Sequence, residues 1–295
     1  MPEGDLERRS GSAPSALAGR PPQPWWRVAI VFAAAILIGI AIGQVMDAFL
    51  EPGYSRAGHV ARAVASLVLY VPLVLAARRF LDQRPLSGLG VGPLHSAWRP
   101  LLLGAAAWLI PAAIGFVLVI GLGWSQVTLQ GSAAALAAAV GVRTVLVLMY
   151  EALPEELLFR GYLYRNLATV VPRWAAVVGQ AILFVVWGVI IGAASTADRM
   201  LLFLVFSLIL GIIRVRTGTV WATIGFHLVF QVVAQVMSPS EGLFAVDDLA
   251  TLQMVAFGLL PFGLGVLIVE RRHPAPPGWL EREPDPAAAI IAGRG

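Results

Sequence analysis

The feature that most constrains this chain is a series of long apolar segments separated by short polar stretches. About 20 predominantly apolar residues are needed to cross the hydrocarbon core of a bilayer as a helix. Of the 295 residues, 58% are hydrophobic and only 13% are charged, a balance that soluble domains do not show. Eight candidate spans follow, at residues 28–48, 60–77, 97–122, 133–164, 175–194, 200–213, 220–237 and 249–269.

The pattern of these segments favours helices over strands. No segment shows the alternating hydrophobicity of membrane barrels, and backbone polar groups in lipid must be paired internally. The sequence therefore predicts an all-α fold, a polytopic transmembrane bundle of about eight spans within residues 25–273. The polar, proline-rich segments 1–24 and 274–295 are predicted to be a disordered N-terminal tail and a flexible C-terminal tail. We predict an integral protein of a bacterial plasma membrane.

The basic residues, all of them arginine, cluster between alternate spans. Because basic loops are retained in the cytoplasm, this asymmetry predicts that both termini are cytoplasmic. The placement at helix ends also argues against a nucleic-acid partner, despite a pI near 10.1. The chain has no cysteine, which excludes disulfides and thiolate metal sites.

The fourth span carries an unusual run of charge, Glu155, Glu156 and Arg160. Ionisable residues inside membrane spans are costly and are functional candidates by default. On a helix, Glu156 and Arg160 are neighbours in the favourable order for an ion pair, which could also serve only to lock two helices together. Glu155 points about 100° away and shares a face with Glu151. Pro154 predicts a kink or a widened turn where the acids begin.

The membrane register of this long span has two solutions. A span over 133–153 leaves Arg143 near the membrane centre. A span over 143–164 lets Arg143 reach the outer interface and places Glu155 roughly 14 Å from the cytoplasmic end. We prefer the second register, because it leaves one less charge stranded in lipid.

A second polar feature lies in the seventh span. His227, Gln231 and Gln235 follow one another at steps of four and form one polar stripe. His227 is roughly 12 Å deep, so Glu155 and His227 are expected to meet. The stripe could instead hold helices together by hydrogen bonds. The other histidines, His59 among them, are predicted to be solvated in loops.

Three motifs in this order, across residues 142–236, make the chain resemble the CPBP intramembrane endopeptidases. That family groups type II CAAX prenyl proteases with bacterial homologues linked to bacteriocin immunity and processing. Its first motif is matched by Glu155, Glu156 and Arg160. In the second motif Phe184 matches, but Gly188 stands where histidine is expected. In the third motif His227 matches, and Gln231 replaces asparagine.

The resemblance implies a role for each of these residues. Glu155 would be the base that activates a water for attack on a peptide carbonyl, with Glu156 and Arg160 as electrostatic support. His227 and Gln231 would stabilise the oxyanion. Either a second water, Glu151 or the substrate would fill the gap that Gly188 leaves, or the site would be impaired.

The leading hypothesis is an intramembrane endopeptidase acting near the cytoplasmic half of the bilayer, on a peptide or protein substrate in or at the membrane. The alternative, motivated by Gly188 and Gln231, is a catalytically impaired member that acts as a membrane binding or immunity protein. A transporter is a weaker third reading. No cofactor is firmly predicted. A divalent metal held by Glu155, Glu151 and His227 ranks below a glutamate-activated water, because no His-Glu-x-x-His helix supports it.

Overall fold

The structure is a computed structural model, and it describes residues 25–49, 56–275 and 278–285. The predicted N-terminal tail lies outside the described residues, as do 276–277 and 286–295 of the predicted C-terminal tail. The long helices are α1 Trp25–Phe49, α2 Arg56–Ala76, α3 Leu94–Gly121, α4 Ala133–Val147, α7 Arg173–Ile190, α8 Ala197–Thr217, α9 Val220–Val236 and α11 Leu260–Arg272. The short helices are α5 Leu153–Glu156, α6 Tyr164–Ala168 and α10 Leu249–Leu252.

Three of the long membrane segments contain π-helical turns, and in the second span this turn is Ala77–Leu81 at the end of α2. Helices α4, α5 and α6 follow one another through the turns Leu148–Ala152 and Leu157–Leu163, and α10 joins α11 through Gln253–Leu259. The turn Leu148–Ala152 ends just before Leu153 and Pro154, and the Leu153 N–H bonds to the Leu148 carbonyl five residues back. A widened turn at this position was predicted, because proline removes a backbone donor and crowds the preceding turn.

The described residues contain seven helices that are long and apolar enough to cross a membrane, together with the shorter apolar helix Val220–Val236. These helices correspond to the eight predicted spans, and the prediction of a polytopic helical bundle is confirmed. The sixth span is longer than the predicted 200–213, since α8 has 21 residues. Asp198 in its first turn and Arg214 and Arg216 in its last turn complement the helix dipole, and Gly218 ends it with a φ of 71°.

Helix α9 is fixed by very close packing against α3. A Cβ at Gly104 would lie 1.8 Å from the Ala222 carbonyl oxygen, and one at Gly225 would lie 2.0 Å from the Leu101 oxygen. Small residues let membrane helices approach in this way. The contact therefore sets both the depth and the rotation of the helix that carries His227.

The bundle has two chemically different ends. At the arginine-rich end, where α1 begins and α2 ends, polar side chains are buried between the helices. At the far end, where α1 ends and α2 begins, the strands β1 Val127–Leu129 and β2 Phe244–Val246 pair antiparallel. At this end Arg143 contacts Glu241 in the turn after α9.

An ion-pair layer closes the arginine-rich end. Arg78 is fully buried and donates to Asp285 at 2.7 and 2.5 Å and to Asp82 at 3.2 Å. The backbone oxygen of Glu283 accepts from Arg165 at 2.6 Å, and its carboxylate accepts from Tyr164 at 2.7 Å. Residues 278–285, in the predicted C-terminal tail, thus lie against the bundle.

Candidate active site

The acidic segment lies in the middle of the helical path that runs from Ala133 to Ala168. Glu156 and Arg160 are fully buried, whereas Glu151 and Glu155 are half-buried. The neighbouring turns Leu148–Ala152 and Leu157–Leu163 are both π-helical. Glu151 therefore lies within the first widened turn, and Glu155 and Glu156 lie between the two turns. Such backbone irregularities are frequent at functional sites.

Glu156 is bound on one oxygen by two donors. Its Oε1 accepts from Arg160 Nη1 at 3.0 Å and from His227 Nδ1 at 2.9 Å. The predicted pairing of Glu156 with Arg160 is confirmed. The Arg160 guanidinium also lies 4.8 Å from the centroid of the Phe184 ring, a cation–π distance. Because Glu156 is fully buried, these donors offset the cost of its charge.

His227 is directed by its neighbours on both sides. A carboxylate accepts its Nδ1 proton, so Nε2 is the nitrogen left for another partner. The Phe206 ring contacts the imidazole edge to face, with 4.9 Å between centroids. The polar partner of His227 is thus Glu156, one position along the chain from the expected Glu155.

Glu151 is held by the two glutamines of the polar stripe. Gln235 Nε2 donates to Oε1 at 2.9 Å, and Gln231 Nε2 hydrogen-bonds to Oε2. The amide of Gln231 was expected to face a substrate oxyanion, and in this structure one of its two N–H groups is directed to Glu151. The second N–H is left for another acceptor.

Glu155 differs from the other two acids. Within the described part of the chain, no side chain makes a hydrogen bond or an ion pair with its carboxylate. It lines a cavity of about 800 Å³ together with Glu151, His227 and Gln231. The structure therefore brings all four residues to one cavity and leaves Glu155 as the acid without a protein partner among the described residues.

The cavity wall beside these residues is aromatic. Phe184 stacks on Phe203 with 5.0 Å between centroids and on Trp187 with 5.8 Å. A Cβ at Gly188 would lie 2.7 Å from Phe203 Cε1. Phe203 thus occupies the space into which a side chain at position 188 would extend. No sequence signal marks Phe203, since an aromatic residue is ordinary in an apolar helix.

Other residues of the cavity were missed for a similar reason. Tyr70, Tyr150 and Ser66 line it, and Ser66 donates to the Tyr150 carbonyl at 2.8 Å. The prediction of a solvated loop position for His59 was wrong. His59 lies in α2, is half-buried, and its Nδ1 is 3.0 Å from Arg143 Nη1.

Two of the three carboxylates of the site are already bound by side-chain donors. Among the residues that the structure describes, no group of three or more histidine, aspartate and glutamate side chains is placed to hold a metal ion. Glu156 is instead bound by Arg160 and His227, and Glu151 by two amides.

Comparison with known proteins places this site in a family context. No curated protein matches the chain, and no solved structure matches it. Residues 137–233 match the family model described as "Type II CAAX prenyl endopeptidase Rce1-like". This segment contains the acids, Gly188, His227 and Gln231, and it covers about a third of the chain. The match supports the assignment of the protein to the CPBP family of intramembrane endopeptidases.

Proposed function

We propose that this protein is an intramembrane endopeptidase of the CAAX-protease type that hydrolyses peptide bonds with a water activated by Glu155. The observation that carries the proposal is the carboxylate of Glu155, which no described side chain binds, in a cavity that it shares with His227. A base must be able to reach the proton that it removes. Glu151 and Glu156 are committed to protein donors, whereas Glu155 can bind a water.

The chemistry divides between the residues as follows. Glu155 accepts a proton as the water oxygen attacks the carbonyl carbon, and the carbonyl oxygen becomes an oxyanion. His227 Nε2, in the protonated ring, and the second N–H of Gln231 are the donors for that oxyanion. Glu156 stabilises the protonated ring through Nδ1. Glu155 then returns the proton to the leaving amine as the carbon–nitrogen bond breaks.

A second candidate function is a binding protein of the same family without hydrolysis. It is favoured by Gly188, since Phe203 fills the volume of the second-motif side chain. In that case the cavity would hold a membrane peptide that leaves uncut. The two candidates share the cavity and differ in whether Glu155 transfers a proton.

The test is hydrolysis by the protein reconstituted in liposomes with a library of quenched fluorescent peptides, whose products are identified by mass spectrometry. Glu155→Gln keeps the size of the side chain but cannot act as a base, so we expect a loss of turnover of about 100-fold or more. Glu270→Gln is the matched control, because Glu270 pairs with Arg216 at the arginine-rich end. Equal turnover in Glu155→Gln and the unmodified protein would refute the role of Glu155.

A binding assay separates the two candidates. If the protein is an enzyme, Glu155→Gln binds the same peptides with little change in affinity but leaves them intact. If the unmodified protein itself binds peptides and releases them uncut, the binding function is the correct one.

A further inference from the structure

The cavity lies in one half of the bundle. The helices that line it do so mainly along the half nearest the far end: α1 and α7 contribute from their second halves and from the turn after α7, and α2 and α8 mainly from their first halves. The residues are Gly39 and Gly43, His59 and Ser66, Ile191 and Ala193, and Arg199 and Phe203. Helix α9 contributes from His227 towards its end, and Ser238 just beyond it lines the cavity as well. The acids lie at the deep end of this lining, which extends to Ala193, Arg199 and Ser238 at the far end.

The opposite end of the bundle is closed. Beyond Glu156 and Arg160 lies a layer of buried polar residues in which Tyr162 donates to Asp82 at 2.9 Å and Arg214 donates to the Arg160 carbonyl at 3.2 Å. Residues 278–285 cover this layer through the ion pairs of Asp285 and Glu283. A substrate coming from this end would have to displace these ion pairs before it reached Glu155.

The charges of the loops identify the two ends. The arginine-rich end carries most of the basic residues, which are Arg27, Arg78, Arg79, Arg84, Arg99, Arg165, Arg173, Arg214, Arg216, Arg271 and Arg272. The loops of the far end are poor in arginine and include Asp198, Glu241, Asp247 and Asp248. The positive-inside rule assigns the arginine-rich end to the cytoplasm.

From these observations we infer that the cavity is entered from the non-cytoplasmic face, so that the substrate is a peptide segment presented on that side. The inference deepens the proposed function and rests on it for the reaction, though not for the side of entry. Eleven residues separate His227 from Ser238, or roughly 16 Å of helix. A chain that reaches the acids must therefore extend about five residues into the cavity. Because entry is from the non-cytoplasmic face, a cytoplasmic C-terminal tail is not the substrate.

The absence of cysteine allows a direct test by single-cysteine labelling in cells. Ser240→Cys places a thiol in an exposed loop of the far end, Ala234→Cys on the cavity wall, and Ser87→Cys on the exposed surface of the arginine-rich end. A membrane-impermeant maleimide is added to intact and to permeabilised cells. We expect each of Ser240→Cys and Ala234→Cys to be labelled as fast in intact cells as in permeabilised cells. Ser87→Cys should be labelled only after permeabilisation.

Controls make each result decisive. Ala222→Cys, on the same helix as Ala234 but buried against α3, should remain unlabelled in both preparations. Ala193→Cys, also on the cavity wall, replaces Ala234→Cys if that variant is not expressed. Labelling of both cavity positions only after permeabilisation, or of neither position, would overturn the inference.

Labelling does not depend on turnover, so the two proposals fail separately. A protein that is labelled as expected but cleaves no peptide contradicts the proposed function and leaves the side of entry standing. A protein that cleaves peptides but is labelled in the cavity only from the cytoplasm contradicts the side of entry alone.

Discussion

Replacing Gly188 by alanine tests how the position of the second motif is packed. The new Cβ would lie 2.7 Å from Phe203 Cε1 and 3.2 Å from Ala194 Cβ, and the first distance is shorter than a normal carbon contact. Phe203 must move, and its ring is stacked on Phe184. The substitution therefore trades a gain in helix propensity against the displacement of an aromatic ring.

The magnitude follows from these two contributions. Replacing a glycine in a helix interior by alanine stabilises by about 0.5–1 kcal/mol. Inserting a methyl group into an occupied space costs about 1–3 kcal/mol. We expect Gly188→Ala to lower the free energy of unfolding by about 1 kcal/mol. Gly141→Ala in α4 is the matched control, because no atom lies within 4 Å of its new Cβ, and it should show the gain alone.

The assay is denaturant unfolding in detergent micelles, followed by circular dichroism, for each variant in the unmodified and in the Phe203→Ala background. Removing the ring should turn the effect of Gly188→Ala from destabilising to stabilising by about 0.5–1 kcal/mol. The reasoning is refuted if Gly188→Ala stabilises the unmodified protein as much as Gly141→Ala does. By the same logic Gly188→His, with its larger side chain, cannot restore the family motif while Phe203 is present.

Three further predictions concern charged groups that the fold buries or covers. Arg160→Ala leaves the carboxylate of Glu156 with one donor and should lower the free energy of unfolding by about 3–5 kcal/mol in the same assay; a cost below about 1 kcal/mol would contradict a buried pair. At the closed end, burial alone would raise the pKa of Glu283, but Arg165 and its other polar neighbours hold that pKa below its ordinary value. The ionised Glu283 therefore stabilises the contact of 278–285 fully at pH values above the ordinary glutamate pKa, and this stabilisation is lost as the pH falls through the lowered pKa. Hydrogen exchange of the amides in 278–285, corrected for intrinsic rates, should therefore become faster on acidification. At neutral pH, Glu283→Gln should speed tryptic cleavage after Arg282, whereas Glu281→Gln, a residue whose side chain is 78% exposed, should not.

Much of the site could be predicted because helical spacing determines depth and neighbours along one helix. The pairing of Glu156 with Arg160 and the widened turn before Pro154 both follow from local geometry. The choice of Glu156 as the partner of His227 does not follow from local geometry. Adjacent helical residues point about 100° apart, so that choice depends on the rotation of α9, which its close contact with α3 fixes.

The features that were missed depend on contacts between residues far apart in the chain. Asp285 and Arg78 are 207 positions apart, and neither residue carries a local signal of the other. The sequence predicts a loop position for His59, but α2 begins at Arg56 and brings His59 to Arg143. Phe203 meets Gly188 only because α7 and α8 pack side by side.

The three acids illustrate how the fold makes one carboxylate different from two others of the same kind. Glu151, Glu155 and Glu156 lie within six residues, and like charges at this spacing repel strongly where water is scarce. Donors from α9 and from Arg160 bind Glu151 and Glu156 and so compensate their charges. Pro154 and the widened turns set the direction of each side chain. The remaining acid, Glu155, faces the cavity with its oxygens available, and for this reason it is the residue on which a water-activating role can rest.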